Sequence, residues 1–407
     1  MSYQPNLSGY VVEGICQSEG KFLYVTPGRN AAEENFRLAA PYSEPPCQTV
    51  AEGSSPHLAP LIGRYNTWVK GSFMTTAGVE LVDLAAIRAA AARIAPIAMK
   101  TPLVRAPFPG VAGYGFPREI WLKAESLQPV GAFKQRGAAN KILQLTPEEI
   151  RRGVITYSSG NHAQAVAYAA REVGAKAVIV MPSNAPAIKR AATLALGAEI
   201  VEVGVASSER LAKAEELVRK HGYVVIPPYD DEQIIAGQAT CGLEIVEELP
   251  DVDLVLSPVS GGGLLSGVSA AVKQMRPQTK VYGVEPELAA DTAESFRTGK
   301  IVTWPAELTS RTIADGLRTQ NVGVRNFAHI RSFVDGVVTV SEAEIRAAMR
   351  AIVATTRLVP EPSGAVPVAA LLFHAAELPG YRKAVAVVSG GNVDPALLAE
   401  VLTERPE

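Results

Sequence analysis

Cysteine is scarce: Cys16, Cys47 and Cys241 are the three in 407 residues. They are too few and too widely spaced for a disulfide framework or a Cys-rich zinc site, so a reducing, cytoplasmic compartment is expected. Neither sign of charge dominates, with 39 Lys and Arg against 41 Asp and Glu. No field attractive to a polyanion is implied, and nucleic acid is not an expected partner. Long apolar runs are missing as well. The Ala-rich stretch 85–98 is broken by Arg88 and Arg93, well short of the ~20 residues a spanning helix needs, so no membrane partner is expected. The first 20 residues contain no Lys or Arg that would mark a secretory leader. No motif recurs with a period of 20 to 50 residues, which excludes solenoids and propellers.

What is present suits a globular enzyme-sized chain: 47% hydrophobic and 20% charged residues, with a length that predicts two to three domains. Residues 1–73 are rich in Gly, Pro, Ser and Asn without a sustained period, and read as an irregular N-terminal extension. Met74 could itself be a start. From there MTTAGVELVDLAAIRAAAARIAPI takes on helical spacing. Further on, short β-branched runs alternate with helical patterns: GVITY (153–157), KAVIVMP (176–182), AEIVEVG (198–204), DLVLSPV (253–259), KVYGVEP (280–286) and AVAVVSG (384–390). Such alternation predicts an α/β protein whose parallel sheets are covered on both faces. Thr146-Pro147-Glu148-Glu149 and Ser341-Glu342-Ala343-Glu344 read as capping boxes that start helices. We expect a large domain from 74–152 and 230–407, with a small one, 153–229, inserted in it. The short tail after Asn392 predicts no C-terminal regulatory domain.

Parallel sheets bind ligands beyond the carboxyl ends of their strands, which directs attention to three junctions. In LSPVSGGGLLSG, a strand runs through Ser260, Gly261, Gly262 and Gly263 into a helix beginning near Leu264. Consecutive glycines turn backbone amides toward one point, and the helix start adds partial positive charge, a combination suited to a phosphate. Neither GxGxxG nor a P-loop spacing is present. In YSSGNHAQ, Ser158, Ser159, Asn161 and His162 cluster at a helix start, where small hydroxyls and an amide could hold a carboxylate or a phenolic oxygen; plain helix capping is the bland alternative. A Ser-His hydrolase is disfavoured, because no GxSxG elbow or triad spacing accompanies His162. In VVSGGN, a strand ends at the hydroxyl of Ser389. Lys134, in QPVGAFKQRG and beside Phe133, is the candidate amine, since desolvation there would lower its pKa and raise its nucleophilicity toward an aldehyde.

Taken together, QPVGAFKQRGA, SSGNHAQ, SGGGLLSG, TIADG and VVSGGNVD resemble the fold-type II pyridoxal phosphate enzymes, most closely the threonine/serine dehydratase and serine racemase group. The resemblance runs from about Met74 to about residue 395. It implies a tryptophan synthase β-like α/β fold of two open parallel-sheet domains with the cofactor between them. It further implies that Lys134 binds the cofactor aldehyde, with Phe133 beside it. Ser260, Gly261, Gly262, Gly263 and Leu264 would cradle the phosphate, Asn161 the phenolic oxygen, and Ser389 the pyridine nitrogen. Ser158, Asn161 and His162 would lie by the substrate carboxylate, and Ser159 would be an acid-base group across the cofactor from Lys134. Two positions depart from the pattern: Ala132 stands where many relatives have serine, and Ser260 replaces a glycine. Pro228-Tyr229, in the region that helps choose the substrate side chain, matches neither familiar subgroup.

Glu285, Ala289 and Asp291, after KVYGV, offer two carboxylates and a carbonyl for Mg2+, Mn2+ or Ca2+; two acids stabilising a helix start are the bland alternative. Their spacing resembles that of the metal-binding racemase and hydroxyaspartate dehydratase branches. The expected activity is an ammonia-lyase, performing β-elimination on L-threonine, L-serine or a related 3-hydroxy amino acid. Serine racemisation is the alternative, and a non-catalytic small-molecule sensor retaining the fold is a reading of another class. The expected assembly is a homodimer.

Overall fold

Apolar, β-branched runs such as AVIVMP, LVLSP and KAVAVV end up inside two sheets, paired on both sides. The computed structural model describes residues 78–108, 118–158, 160–185, 187–204 and 207–404, all within the unit Val69–Glu407. The extension expected over residues 1–73 lies outside the described residues.

The strands are β1 (Leu103–Arg105), β2 (Glu119–Ala124), β3 (Val154–Tyr157), β4 (Ala177–Pro182), β5 (Glu199–Val203), β6 (Val224–Val225), β7 (Leu254–Pro258), β8 (Lys280–Pro286), β9 (Gly336–Val340) and β10 (Lys383–Val388). One sheet has the order β1-β2-β10-β7-β8-β9 and the other β5-β4-β3-β6. All neighbours pair in parallel except β1, which runs antiparallel to β2. This edge strand is an exception to the all-parallel reading. Residues 153–229 supply every strand of the four-stranded sheet.

The helices are α1 (Leu84–Ile94), α2 (Lys134–Ile142), α3 (Pro147–Arg152), α4 (Asn161–Glu172), α5 (Ala187–Ala195), α6 (Ser207–His221), α7 (Glu232–Glu248), α8 (Gly263–Met275), α9 (Asp291–Thr298), α10 (Ala306–Thr309), α11 (Val324–Phe333), α12 (Glu342–Thr356), α13 (Pro362–Phe373) and α14 (Pro395–Thr403). Both capping boxes form, at Thr146 and Ser341. α1 starts later than the helical spacing suggests: Asp83 caps it through the Ala86 amide, and Gly78–Val82 are not helical.

Alternation along a parallel strand fills two faces at once. On β7 and β10, Leu254, Leu256, Ala384 and Ala386 pack with α12 and α13 residues such as Ile345 and Val366. Val255, Val385 and Val387, one position away, pack on the opposite face with Ile245 of α7 and Leu264 of α8. The four-stranded sheet repeats the pattern, with Val154 and Ile179 against α4, and Ile155 and Val180 against Ala214 of α6. Covering both faces leaves the strand ends and their loops as the places where polar chemistry reaches a cleft.

Candidate active site

Lys134 is placed by the end of β10. The segment before it is pinned there: Phe133 N–H donates to the Ser389 carbonyl at 2.9 Å, Gly391 N–H to the Gly131 carbonyl at 2.9 Å, and Asn392 Nδ2 to the Val130 carbonyl at 2.8 Å. Gly131 has φ +70°, and a β-carbon on it would lie 2.5 Å from Asn392 Oδ1, so both backbone conformation and space demand glycine. The chain then enters α2 with Lys134 as its first residue. Nζ donates to the Pro228 carbonyl at 2.5 Å, and burial, with no carboxylate to offset it, pushes the pKa down to about 8. Near neutrality a substantial fraction of this amine is uncharged and nucleophilic.

Two residues on, Arg136 leaves the opposite face of α2. It is fully buried and bonds the carboxylates of Glu125 at 2.7 Å and Glu244 at 2.7 Å. Lys123, also fully buried, completes the cluster through Glu244 at 2.6 Å. Burial alone would raise the Glu125 pKa, but the charges of Arg136 and Lys123 hold it below the ordinary value. Two cations and two anions thus clamp the base of the helix that starts with Lys134.

The glycine loop lies across Pro228-Tyr229 from the lysine. Pro228 receives the amine, and the next residue, Tyr229, packs against the loop: a β-carbon on Gly261 would meet its ring at 2.5 Å. Gly262 has φ +94° and caps α8, whose first turn holds Gly263 and the buried Leu264. Ser260, also buried, bonds Thr319 Oγ1 at 2.6 Å. The Gly261 carbonyl accepts from Asn326 Nδ2 at 2.6 Å and from the Gly323 amide at 3.1 Å, which fixes the loop peptide. The leading amides of α8 have no intrahelical acceptors, which leaves an anion cradle.

At the start of α4, Ser158 accepts weakly from Gly160 N–H at 3.4 Å; Ser159 lies outside the described residues. His162 is buried and its Nε2 faces the Ile226 carbonyl at 3.0 Å. Burial and the nearby Lys134 charge push its pKa down to about 3, so the ring is neutral and Nε2 is the donor. That nitrogen is committed to the four-stranded sheet, which leaves the backbone amide, not the ring, at the helix start. Asn161 Nδ2 donates to Glu361 Oε1 at 2.7 Å, and its Oδ1 accepts from Asn392 Nδ2 at 2.9 Å. Glu361, Asn392 and Arg136 are absent from the sequence reading. Glu361 precedes Pro362 at a helix start and looks like an N-cap, yet it makes no capping bond to α13.

Glu285, Ala289 and Asp291 are all buried. Glu285 accepts from the Thr292 and Ala293 amides at 3.2 and 2.8 Å, so it does cap α9. Neither carboxylate oxygen of Asp291 has a hydrogen-bond partner among the described residues. Burial raises the Asp291 pKa to about 8, and burial together with Asp291 raises that of Glu285. Thr292 Oγ1 ties this corner to the glycine loop through the Ser260 carbonyl at 3.2 Å. Among the described residues no cluster of three or more His, Cys, Asp or Glu forms a metal site.

An amine of lowered pKa, an anion cradle, and the end of β10 with its buried Ser389 converge on one place, and these fit the aldehyde, phosphate and ring nitrogen of pyridoxal phosphate. Comparison with known proteins agrees. Residues 94–390 match the family described as pyridoxal-phosphate dependent enzyme. The chain is 41% identical over 289 residues to the L-threo-3-hydroxyaspartate ammonia-lyase of Saccharomyces cerevisiae, covering 71% of this chain and 87% of that one. It is 43% identical over 286 residues to the catabolic L-threonine dehydratase of Escherichia coli, covering 70% and 85%. The solved structure of maize serine racemase superimposes with a TM-score of 0.75 at 37% identity, over 79% of this chain and 97% of that one. The chain belongs to the pyridoxal-phosphate dependent enzymes of fold type II, in the group that contains threonine dehydratases and serine racemases.

Proposed function

We propose that this chain is an ammonia-lyase that converts a 3-hydroxy amino acid, such as L-threonine, L-serine or threo-3-hydroxyaspartate, to a 2-oxo acid and ammonia. The observation that carries the reading is the Lys134 amine, held at the Pro228 carbonyl with its pKa lowered to about 8. When bound, pyridoxal phosphate supplies an aldehyde for the substrate amine and a conjugated ring that accepts electrons from the α-carbon. Lys134 would be the residue that holds the aldehyde, and its free amine would be the base that takes the α-proton. The C–H and C–O bonds break, proton and hydroxide depart as water, and the released enamine is hydrolysed to the oxo acid and ammonia. Ser260 to Leu264 would hold the phosphate, Phe133 would flank the ring, and Asn161 would face the phenolic oxygen. Ser389 would face the ring nitrogen; a hydroxyl there, unlike a carboxylate, would not keep that nitrogen protonated, which would favour expulsion of the β-hydroxyl. Ser158, Asn161 and His162 receive the substrate carboxylate at the start of α4, with His162 acting through its amide. Ser159 would serve as the second acid-base group.

In the same reading Glu285, Asp291 and the Ala289 carbonyl bind Mg2+, Mn2+ or Ca2+, supported by the unpartnered Asp291 oxygens. Residues 153–229 form a small domain that closes on substrate against a large one made of 74–152 and 230–407. The enzyme acts as a cytoplasmic homodimer on a small amino acid. Scarce cysteine supports the compartment, and among the described residues no helix is long and apolar enough to cross a membrane.

The likeness to serine racemase supports a second reading, in which the α-carbon is reprotonated from the opposite face before the hydroxyl leaves. Incubation with L-serine and L-threonine, followed by assay of 2-oxo acid and D-enantiomer, separates the two. Oxo acid with little D-amino acid is the expected result, and D-serine without pyruvate would overturn the lyase reading.

A further inference from the structure

A chain of amide hydrogen bonds ends on a carboxyl group that the proposed reaction does not use. A backbone carbonyl can only accept, so at the Val130 carbonyl the Asn392 side chain must present Nδ2. The same Nδ2 donates to Asn161 Oδ1, which fixes Asn161 with its own Nδ2 toward Glu361. Glu361 Oε1 is therefore an acceptor whatever the charge of the carboxyl, and any proton on the group must sit on Oε2. Oε2 is buried and has no hydrogen-bond partner among the described residues. Space is tight on the strand side: a β-carbon on Gly390 would lie 2.4 Å from Glu361 Oε1 and 3.2 Å from Asn161 Nδ2. Carboxyl and amide are thus pressed together against the end of β10.

We propose that Glu361 is a positioning residue of this site, holding the Asn161 amide in the one orientation that leaves its second N–H for the phenolic oxygen, and carrying a proton on Oε2 in the working enzyme. The inference rests on the role of Asn161 given above. It is supported by the surroundings of Glu361. Burial, and then the negative charge of Asp315 in the 3-10 turn Asp315–Leu317, raise its pKa to about 8; the Lys189 ammonium of α5, the Asn161 amide and the Asn392 backbone act against this. Lys189 is itself paired with Asp315. Gly390 and Gly316, the glycines nearest Glu361 Oε1, and Ser363 beside them are uncharged, while His162 and Lys134 are directed at the Ile226 and Pro228 carbonyls. A carboxyl whose folded-state pKa lies above its unfolded value contributes stability that is fully present below about pH 4.5 and is lost as pH rises through about 8.

Glu361→Gln tests the idea, because glutamine keeps an acceptor for Asn161 and replaces the O–H by an N–H that cannot ionise. Two pH series are needed on the full-length protein. In the cofactor-free form, thermal unfolding of the parent should weaken relative to E361Q between pH 4.5 and 8, then run parallel to it. In the cofactor-loaded form, a change in the visible absorption band with a midpoint near pH 8 should be present in the parent and absent in E361Q. Asp315→Asn should move both midpoints to lower pH, and it decides the matter alone if E361Q does not fold. A midpoint that survives E361Q, a flat stability difference, or a midpoint indifferent to D315N overturns the proposal. If borohydride reduction fixes no cofactor on Lys134, the function proposed above fails, while the unfolding series still decides where the proton resides.

Discussion

Two buried charged clusters flank the proposed site, and they are built on opposite rules. Behind Lys134, Arg136 and Lys123 face Glu125 and Glu244, so every buried charge has an opposite neighbour within 2.7 Å. Beside the glycine loop, Glu285 and Asp291 share a pocket with no cation, and the Asp291 oxygens have no partner among the described residues. The pH behaviour differs accordingly. Glu125, held low by its cations, contributes stability above about pH 4.5 that is lost on acidification. Asp291, held high by burial, contributes stability at low pH that is lost as pH climbs through about 8. Local neutrality marks a structural clamp, whereas at Glu285 and Asp291 burial favours protonation, or the cation proposed above. Lys134 resembles the second kind: a buried amine whose pKa is lowered by burial, which on the proposed function would be completed by an aldehyde.

The comparison is broken most decisively at the unpaired amine. Lys134→Ala should abolish the visible absorption of the loaded protein and lower turnover by about 10³-fold or more, judged by steady-state assay, since general-base catalysis is commonly worth 10²–10⁴. Unfolding free energy should barely change, because no ion pair is lost. The balanced cluster should respond in reverse. Arg136→Ala leaves two carboxylates against one lysine and should cost about 3–5 kcal/mol in urea unfolding. At the acid pair, millimolar Mg2+ or Ca2+ should stabilise the parent at pH 8, by about 2.7 kcal/mol when the ion is 100-fold over its dissociation constant. The gain should shrink at pH 6, where protons compete, and vanish in Asp291→Asn; an unchanged gain in that variant would remove the cation site. The smallest effect is expected away from both clusters, at the exposed capping box. There Thr146→Ala should cost about 1 kcal/mol with no change in kinetics.

Contiguous signals were the legible ones. Both capping boxes form at the residues that carry them, and β8 spans the Lys280–Pro286 run marked by its composition. The glycine loop and Lys134 lie in short motifs whose chemistry is local. Strand β2 was harder to see, because Glu119 and Lys123 in EIWLKA suggest a solvated segment. Lys123 is instead fully buried, and the acid that permits this is Glu244, 121 positions away. Glu361 was obscured for the same reason: its partner Asn161 is 200 residues distant, and a glutamate before proline at a helix start already has a commonplace explanation. The antiparallel direction of β1 left no trace in a run of three residues. Long-range pairing of polar groups, unlike hydrophobic periodicity, has no signature within a local window.

The acceptor of the free Lys134 amine is the carbonyl of Pro228, three residues past the end of β6 and four before α7 begins. It sits on the strap by which the chain returns from one sheet to the other. That peptide bond links the small sheet's return path to the buried amine, so a change in the strap's course would be felt first at the nitrogen whose burial lowers its basicity.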